Sequence, residues 1–252
     1  MNPGSRVGIP DVTPLELAAW TWKMPRRGRG FWFSLAIDVL WPIVVLFVRL
    51  RVRGKQHVPG NGGVILAFNH LSNADTVAAV VFSLMSNRVP RVLAKASLWR
   101  TPVIGWVMRS GGHIPVERGT VKAAEALRPA VEALQAGECV MVFPEGTFTN
   151  DPDDWPMKGK SGVARMALEA RVPVVPVAEW GTQDLLPKGT ILPRLLPRKR
   201  VEVVAGAPVD LSDLYDSELT AEVLDEATKR VMEAITTMLS GIRSEQTGSP
   251  KP

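Results

Sequence analysis

The sequence predicts an α/β fold in which a central, mostly parallel or mixed sheet is flanked by helices and preceded by an N-terminal pair of membrane-associated helices. After Lys55, short apolar runs alternate with longer amphipathic stretches, as strands and helices do in α/β proteins. Before Lys55, an apolar stretch lies between clusters of cations. Apolar residues make up 46% of the 252, enough for one large core. We expect a helical segment at 1–54, one domain at 55–243 and a disordered tail at 244–252.

Two helices are predicted in the N-terminal segment. The first, at residues 14–23, opens with Thr13-Pro14-Leu15-Glu16, which has the form of a capping box with proline at the first helical position. The second covers the apolar residues 31–48 and would measure roughly 27 Å as a helix. A hydrocarbon core is about 30 Å thick, and the stretch contains Asp38 and Pro42. We therefore expect the pair to lie in one leaflet or dip into it.

The positive charge of the chain is concentrated in this segment. Residues 22–55 hold eight cations and one acid, which leaves a net charge of about −2 for the rest of the chain. Four of the eight tryptophans, at positions 20, 22, 32 and 41, lie in the N-terminal segment, and tryptophan favours the membrane interface. The pattern favours membrane lipids as partners and a peripheral or monotopic position on the cytoplasmic face of the cell membrane. A core helix with a basic surface is the alternative, and nucleic acid is disfavoured because the cations bracket aliphatic residues.

The remaining elements follow from periodicity and turn residues. Strands are predicted at residues 63–68, 91–95, 113–116, 139–143, 173–178 and 201–205. Helices are predicted at residues 74–85, 120–136, 159–170 and 217–242. The proline-containing segment 182–200 is expected to be a long loop. Cys139 is the only cysteine, which excludes an internal disulfide and suits a reducing compartment. The first residues lack the pattern of a secretory signal peptide.

A histidine and an acid lie where a strand is predicted to give way to a helix. Sites in open α/β sheets form at the carboxyl ends of strands, where His70 is expected. A neutral imidazole accepts a proton near neutral pH, and a carboxylate such as Asp75 can fix its tautomer. The spacing works if His70 lies in the turn and Asp75 in the first helical turn. As alternatives, Asp75 only satisfies the helix N-terminus and His70 is a turn residue without a chemical task.

Two further groups are suited to binding phosphate. The strand that ends at Phe143 runs into Pro144-Glu145-Gly146-Thr147. Glycine allows close approach of the main chain to a ligand, and the amides and the Thr147 hydroxyl can hold phosphate oxygens. Arg118 follows another predicted strand, and a guanidinium can grip phosphate with its planar fork. Taken singly, these features are also typical of an ordinary turn and a solvated surface arginine.

Together, these motifs resemble the 1-acylglycerol-3-phosphate acyltransferase family, the lysophosphatidic acid acyltransferases, in its bacterial type. Four blocks occur in the family's order: N-H-x-x-x-x-D at 69–75, G-x-I-x-x-[DE]-R at 112–118, F-P-E-G-[ST] at 143–147 and V-P-[VI]-x-P at 172–176. The likeness covers about residues 54–208. Pro115 departs from the bulky apolar residue of many members, which leaves the identity of the acceptor open.

The resemblance implies a glycerolipid acyltransferase fold and transfer of a fatty acyl group from acyl-CoA or acyl carrier protein to 1-acylglycerol 3-phosphate, forming phosphatidic acid. It implies that His70 is the general base and Asp75 its partner. It also implies that the acceptor is bound by residues of the blocks and by two nearby lysines, namely Asn69, Lys95, Arg118, Phe143, Pro144, Glu145, Gly146, Thr147 and Lys158. No cofactor beyond the thioester substrate is expected. No metal is expected either, because a His or Cys ligand spacing is missing.

Other functions remain open from sequence alone. The same chemistry on glycerol 3-phosphate, another lysophospholipid or a glycolipid would use the same four blocks. A noncatalytic membrane lipid-binding protein of this fold would sit better with a degraded His–Asp pair. A soluble thioester hydrolase would have no need for the basic, apolar N-terminal segment. The sequence carries no indication of oligomeric state.

Overall fold

The computed structural model describes residues 13–26, 28–117 and 125–247, which form a seven-stranded sheet with helices on both faces. The strands are β1 Val48–Arg53, β2 Val64–Phe68, β3 Pro90–Lys95, β4 Ile114–Val116, β5 Cys139–Val142, β6 Val174–Trp180 and β7 Lys199–Ala205. The helices are α1 Pro14–Lys23, α2 Phe31–Phe47, α3 Ala74–Met85, α4 Ile104–Ser110, α5 Arg128–Gln135, α6 Gly162–Ala170, α7 Thr182–Leu185 and α8 Ala221–Thr247.

The sheet is mixed, as predicted. Its strand order is β1-β7-β6-β2-β5-β3-β4, and each neighbouring pair is parallel except β6 with β7, which is antiparallel. The central strand β2 is buried on both sides, because Leu66 packs into the core under α2 and α3 while Ile65 packs under α5, α6 and α8. Successive side chains of a strand point to opposite faces, so an all-apolar run such as β2 suits a strand covered by helices on both faces.

The structure differs from the sequence prediction at several elements. Residues 48–53 form the edge strand β1, paired with β7, where the sequence predicted a helix end followed by a basic cluster. The loop expected at 182–200 contains the short helix α7, and β7 already begins at Lys199. Helix α4 was not predicted. Helix α8 continues through residues 244–247, where a disordered tail was expected. Of the helix predicted at 120–136, residues 120–124 lie outside the described part, and α5 follows a 3₁₀ turn at 125–127.

Helix α2 has a buried face and an exposed apolar face. Phe33, Ile37, Trp41 and Val44 recur at helical spacing and are buried in the core. The Trp41 indole N–H donates to the Thr21 hydroxyl at 2.9 Å, which joins α2 to α1. Within the described ranges, no helix combines the length and the apolar character needed to cross a bilayer. The expected membrane association of the pair therefore stays a prediction.

Arg88 fastens the edge of the sheet opposite to the carboxyl ends of β2 and β5. Its guanidinium is buried and donates to three main-chain oxygens, those of Pro59 at 2.7 Å, Gly62 at 2.6 Å and Gly137 at 3.0 Å. Gly62 precedes β2 and Gly137 precedes β5, so one side chain ties together the entries of two neighbouring central strands. A planar guanidinium can serve three acceptors in different directions, which an ammonium on a flexible stem does poorly.

We expect Arg88→Lys to lower the free energy of unfolding by about 2 kcal/mol, because at least one buried carbonyl loses its donor. Arg128→Lys is the matched control, since Arg128 is exposed and pairs only with Glu132 on its own helix. Urea denaturation followed by circular dichroism measures both variants. Equal midpoints for the two would show that Arg88 does not hold these strand entries together.

Candidate active site

His70 lies immediately beyond the carboxyl end of β2 and is wedged between two aromatic rings. Its imidazole stacks on Phe143 with ring centroids 4.0 Å apart and meets the edge of Phe148 at 4.3 Å. The side chain keeps 15% of its surface exposed. The ring is thus held in one orientation but can still be reached from outside.

One oxygen of Asp75 receives the imidazole and two main-chain amides. His70 Nδ1 lies 2.8 Å from Asp75 Oδ2, which also accepts the N–H groups of Leu71 and Ser72. Asp75 is completely buried. An ionised carboxylate only accepts hydrogen bonds, so Nδ1 carries the proton and Nε2 keeps its lone pair. This tautomer suits Nε2 to take a proton from a hydroxyl group.

The local fold explains how residues five apart come into contact. The chain turns at residues 69–73 and enters α3 at Ala74, so Asp75 falls in the first helical turn and reaches back over the turn. Ser72 Oγ accepts the Ala74 N–H at 3.0 Å and steadies this start. The positive end of the α3 dipole also favours a carboxylate here. The structure therefore brings His70 and Asp75 together in the way the sequence predicted.

Glu145 braces the same turn from the opposite side. Its carboxylate accepts the His70 N–H at 2.9 Å and the Met157 N–H at 2.9 Å, and the side chain is almost fully buried. Burial raises the pKa of Glu145 to about 7, although both N–H groups pull it down. The family resemblance implied that this residue binds the acceptor. The structure instead occupies both of its oxygens with main-chain donors.

Asn69 also has a structural task in place of the expected substrate contact. It is fully buried, and its side-chain amide donates to the main-chain oxygen of Glu179 at 3.0 Å and accepts the Glu179 N–H at 2.7 Å. These two bonds join the end of β2 to the end of β6. They extend the sheet by one step and fix the point from which His70 projects.

An apolar cavity of about 380 Å³ opens beside the imidazole. Its walls come from α2, α3, α4 and β3, and its polar lining residues are His70, Asn73, Thr76, Lys95 and His113. Apolar side chains make up most of its lining, including Ile37, Leu40, Val77, Val80, Leu84 and Met108. The cavity therefore offers a long apolar group a place next to the imidazole, with the exposed Lys95 at its mouth.

The 143–147 loop lies at this mouth. Phe143 and Gly146 line the cavity, Pro144 is buried and Thr147 is exposed. Gly146 has φ of +72°, and a side chain at this position would lie within about 3.1 Å of the Lys160 ammonium. Left-handed backbone and close packing together explain the requirement for glycine. Sequence reasoning did not select Lys160, because its position relative to the loop depends on the tertiary fold.

Of the predicted phosphate ligands, one lies apart from this arrangement and another is outside the described residues. Lys158 is exposed, pairs with Asp225 of α8 at 2.7 Å and lines a different cavity, between the 156–159 segment and α8. Arg118 lies outside the described residues. Of the predicted cations, Lys95 is thus the one that the described structure places at the mouth of the apolar cavity.

Comparisons with known proteins agree with this geometry. A model of the acyltransferase family matches residues 49–180, about half of the chain, from β1 to the end of β6. In solved structures, the chain is similar to the 1-acyl-sn-glycerophosphate (LPA) acyltransferase PlsC of Thermotoga maritima, with a TM-score of 0.61, 25% identity, and coverage of 91% of this chain and 80% of that one.

Curated relatives carry the name 1-acyl-sn-glycerol-3-phosphate acyltransferase. The chloroplastic protein BAT2 of Brassica napus is 28% identical over 81% of this chain, which spans 56% of the length of that relative. The protein of Borreliella burgdorferi is 27% identical, with 73% of this chain and 72% of that one covered. The protein of Bacillus subtilis is 25% identical, with 80% and 96% covered. The matched model, the shared fold and these relatives show that the chain belongs to the acyltransferase family.

Proposed function

We propose that this chain transfers a fatty acyl group from an acyl thioester, on coenzyme A or acyl carrier protein, to the free hydroxyl of 1-acylglycerol 3-phosphate, yielding phosphatidic acid. The observation that carries the proposal is the His70–Asp75 contact at the mouth of an apolar cavity. The names of the relatives support the choice of acceptor. No cofactor other than the thioester substrate takes part in the proposed reaction.

The proposed chemistry is general-base catalysis. The acceptor hydroxyl binds Nε2 of His70, which removes the proton as the oxygen attacks the thioester carbonyl. Asp75 holds the ring and stabilises the imidazolium that forms. Main-chain N–H groups near the turn stabilise the oxyanion. Its collapse breaks the carbon–sulfur bond, and the departing thiolate recovers the proton from His70.

The surroundings of His70 suit the two substrates. The cavity matches an acyl chain in character, and because Lys95 and Gly146 line it, an acceptor phosphate bound there would meet a cation and a close main-chain approach. The Thr147 hydroxyl, one residue further on, is proposed to contribute to the same phosphate contact. Arg118 is proposed to join them. A covalent acyl-enzyme through the one thiol is disfavoured, because Cys139 is buried in β5 and burial raises the pKa of its thiol to about 12.

We further propose that α1 and α2 hold the enzyme on the cytoplasmic face of the cell membrane. Large apolar side chains on the outer faces of these helices are exposed, including Leu15, Trp22, Phe31, Val39 and Leu46. Exposed apolar area of this kind marks an interaction surface. A lysolipid acceptor has its acyl tail in the leaflet while the thioester arrives from water, so an enzyme at the interface meets both.

Replacing the two dyad residues tests the mechanism. We expect His70→Ala to lower kcat by a factor on the order of 10³ and Asp75→Asn by a factor on the order of 10², the range of general-base contributions. The thermal midpoint of His70→Ala should change little. His57→Ala is the matched control, since His57 lies outside the cavity lining. Loss of thermal stability in proportion to activity would identify His70 as a structural histidine.

The identity of the acceptor is tested with the purified enzyme and one labelled acyl-CoA. We expect phosphatidic acid as the main product when 1-acylglycerol 3-phosphate, glycerol 3-phosphate, other lysophospholipids and a glycolipid are offered together. Mass spectrometry of the products measures this. A different main product would move the reaction to another acceptor, and thioester cleavage at the same rate without any acceptor would identify a hydrolase.

A further inference from the structure

The loop between α7 and β7, residues 186–198, holds an apolar tip away from the protein. Ile191 is 91% exposed, Leu192 78% and Leu196 74%. The loop is nevertheless tied to the fold at three points. Lys188 Nζ donates to the main-chain oxygen of Thr149 and to Asp154, the Arg194 N–H donates to the Leu185 oxygen, and the Arg198 guanidinium donates to the oxygens of Val45 and Val48.

This tip lies at the same edge of the sheet as His70. Strand β6 is parallel to β2 and therefore ends at the edge where His70 projects, and the antiparallel β7 begins there. The Arg198 bonds place the loop beside the end of α2, where Leu46 is 60% exposed. The C-terminal end of the loop is therefore held next to the C-terminal end of α2.

The exposed apolar residues and the charges near the loop form a consistent pattern. Among the described residues, every large hydrophobic side chain with high exposure belongs to α1, α2, the start of α4 or this loop. Trp106 of α4 packs against Trp32 of α2, so the start of α4 adjoins the exposed face of α2. Between Asp184 and Glu202 the chain carries five cations and no acid. Apolar tips backed by cations complement the headgroups of an anionic leaflet.

We propose that residues 191–196 are a second membrane-inserting element, which docks on an anionic phospholipid bilayer together with α1 and α2. The inference rests on the function proposed above, because a lipid acceptor gives the enzyme its reason to bind a bilayer. Two elements far apart in sequence then fix the tilt of the sheet on the membrane. The edge that carries His70 is turned toward the lipid headgroups.

The double variant Ile191→Asp/Leu192→Asp tests this element against a variant with the same added charge. Ala221→Asp/Thr237→Asp is the control, since both residues are exposed on α8 at the other face of the sheet. Flotation with vesicles of phosphatidylcholine and phosphatidylglycerol measures binding. We expect the loop variant to partition about tenfold less than wild type, and the control to bind as wild type.

Activity on a short-chain lysophosphatidic acid below its micellar concentration separates this inference from the proposed function. The loop variant should keep wild-type turnover on this monomeric acceptor and lose it on acceptor held in vesicles. Equal flotation of the loop variant and the control would overturn the membrane role of the loop, whatever the turnover. If the wild-type enzyme floats with vesicles but acylates none of the acceptors, the acyl-transfer proposal is rejected instead.

A second inference rests on a separate observation, the buried carboxyl group of Glu179 at the end of β6. The residue has no exposed surface, and within the described structure neither carboxyl oxygen has a hydrogen-bond partner. Its main chain is held by Asn69. Val177 before it and Val203 opposite it on β7 share its face of the sheet and are apolar. Such a group costs folding free energy unless it is neutral and hydrogen-bonded.

Within the described structure, Asp75 has one carboxylate oxygen without a hydrogen-bond donor, which complements the carboxyl group of Glu179. Its Oδ2 has three donors, whereas its Oδ1 is buried without one. Asp75 is also the charged group that acts on Glu179, and burial together with this negative charge raises the pKa of Glu179 well above its ordinary value. Asp184 on the adjoining helix α7 is exposed. Two carboxylates cannot hydrogen-bond to each other unless one keeps its proton.

We propose that Glu179 is a positioning residue that keeps its proton and donates it to Oδ1 of Asp75. Glu179, Asp75 and His70 then form a hydrogen-bonded chain of three groups, in which Glu179 is the innermost. Glu179 does not meet the substrate. Its hydrogen bond fixes the carboxylate plane of Asp75 and withdraws charge from it, which sets how strongly Asp75 attracts the imidazolium proton.

Glu179→Gln and Glu179→Met form a matched pair, since both new side chains are close in size to glutamate. Only glutamine keeps a hydrogen-bond donor, in the form of its amide N–H. We expect Gln to stay within about threefold of wild-type kcat and Met to lose about tenfold, a difference of one hydrogen bond to a charged group. In the Met variant the acid limb of the kcat/KM profile should move to higher pH, because Asp75 with one donor fewer holds the imidazolium proton more tightly.

Thermal melts of both variants report folding separately. Equal loss of activity in Gln and Met, or a Met variant with wild-type kcat and pH profile, would overturn the role of Glu179. Each result leaves the acyl-transfer proposal intact, because that proposal depends on His70 and Asp75 alone.

Discussion

The site depends on one carboxylate oxygen, Oδ2 of Asp75. It accepts hydrogen bonds from Nδ1 of His70 and from the main-chain N–H groups of Leu71 and Ser72, all in the turn that leads into α3. A buried carboxylate without such donors would be strongly unfavourable, so the same bonds that make the ion tolerable also determine the path of the turn. Stability and orientation of the imidazole are thus one property of this structure, and a capping role for Asp75 is compatible with a catalytic one.

Three buried carboxyl groups surround the turn, and they differ in what satisfies them. Asp75 has three donors to one oxygen, Glu145 has two main-chain donors and Glu179 has none for its side chain. The charge of Asp75 raises the pKa of both neighbours. Three ionised carboxylates at this spot would raise the affinity of His70 for the proton that it must return to the leaving thiolate. A neutral Glu179 limits that accumulation of charge.

The parts of the fold predicted from sequence are those with strong local signals. Composition and spacing were enough to predict the apolar strand β2, the strand β5 before Pro144 and the block at residues 69–75. Strand β1 was missed although V-R-L-R-V-R alternates, because an apolar helix precedes it directly and the cations suggested a membrane flank. Glu179 was missed for another reason. Nothing adjacent in sequence shows that its carboxyl group is buried and feels the charge of Asp75, since α3 and β6 are about a hundred residues apart.

Helix α2 shows why sequence alone did not decide between a core helix and a membrane helix. Its apolar residues occupy nearly the whole circumference, so the pattern contains no polar stripe that would mark an exposed face. The fold answers part of this question, because one face of α2, formed by Phe33, Ile37, Trp41 and Val44, belongs to the core beneath the helix. Other large apolar residues of α2 are exposed, among them Trp32, which packs against Trp106 of α4. Exposed apolar area of this kind marks an interaction surface, so the outer face of α2 supports the proposal that the enzyme docks on a bilayer and takes its lipid acceptor from there.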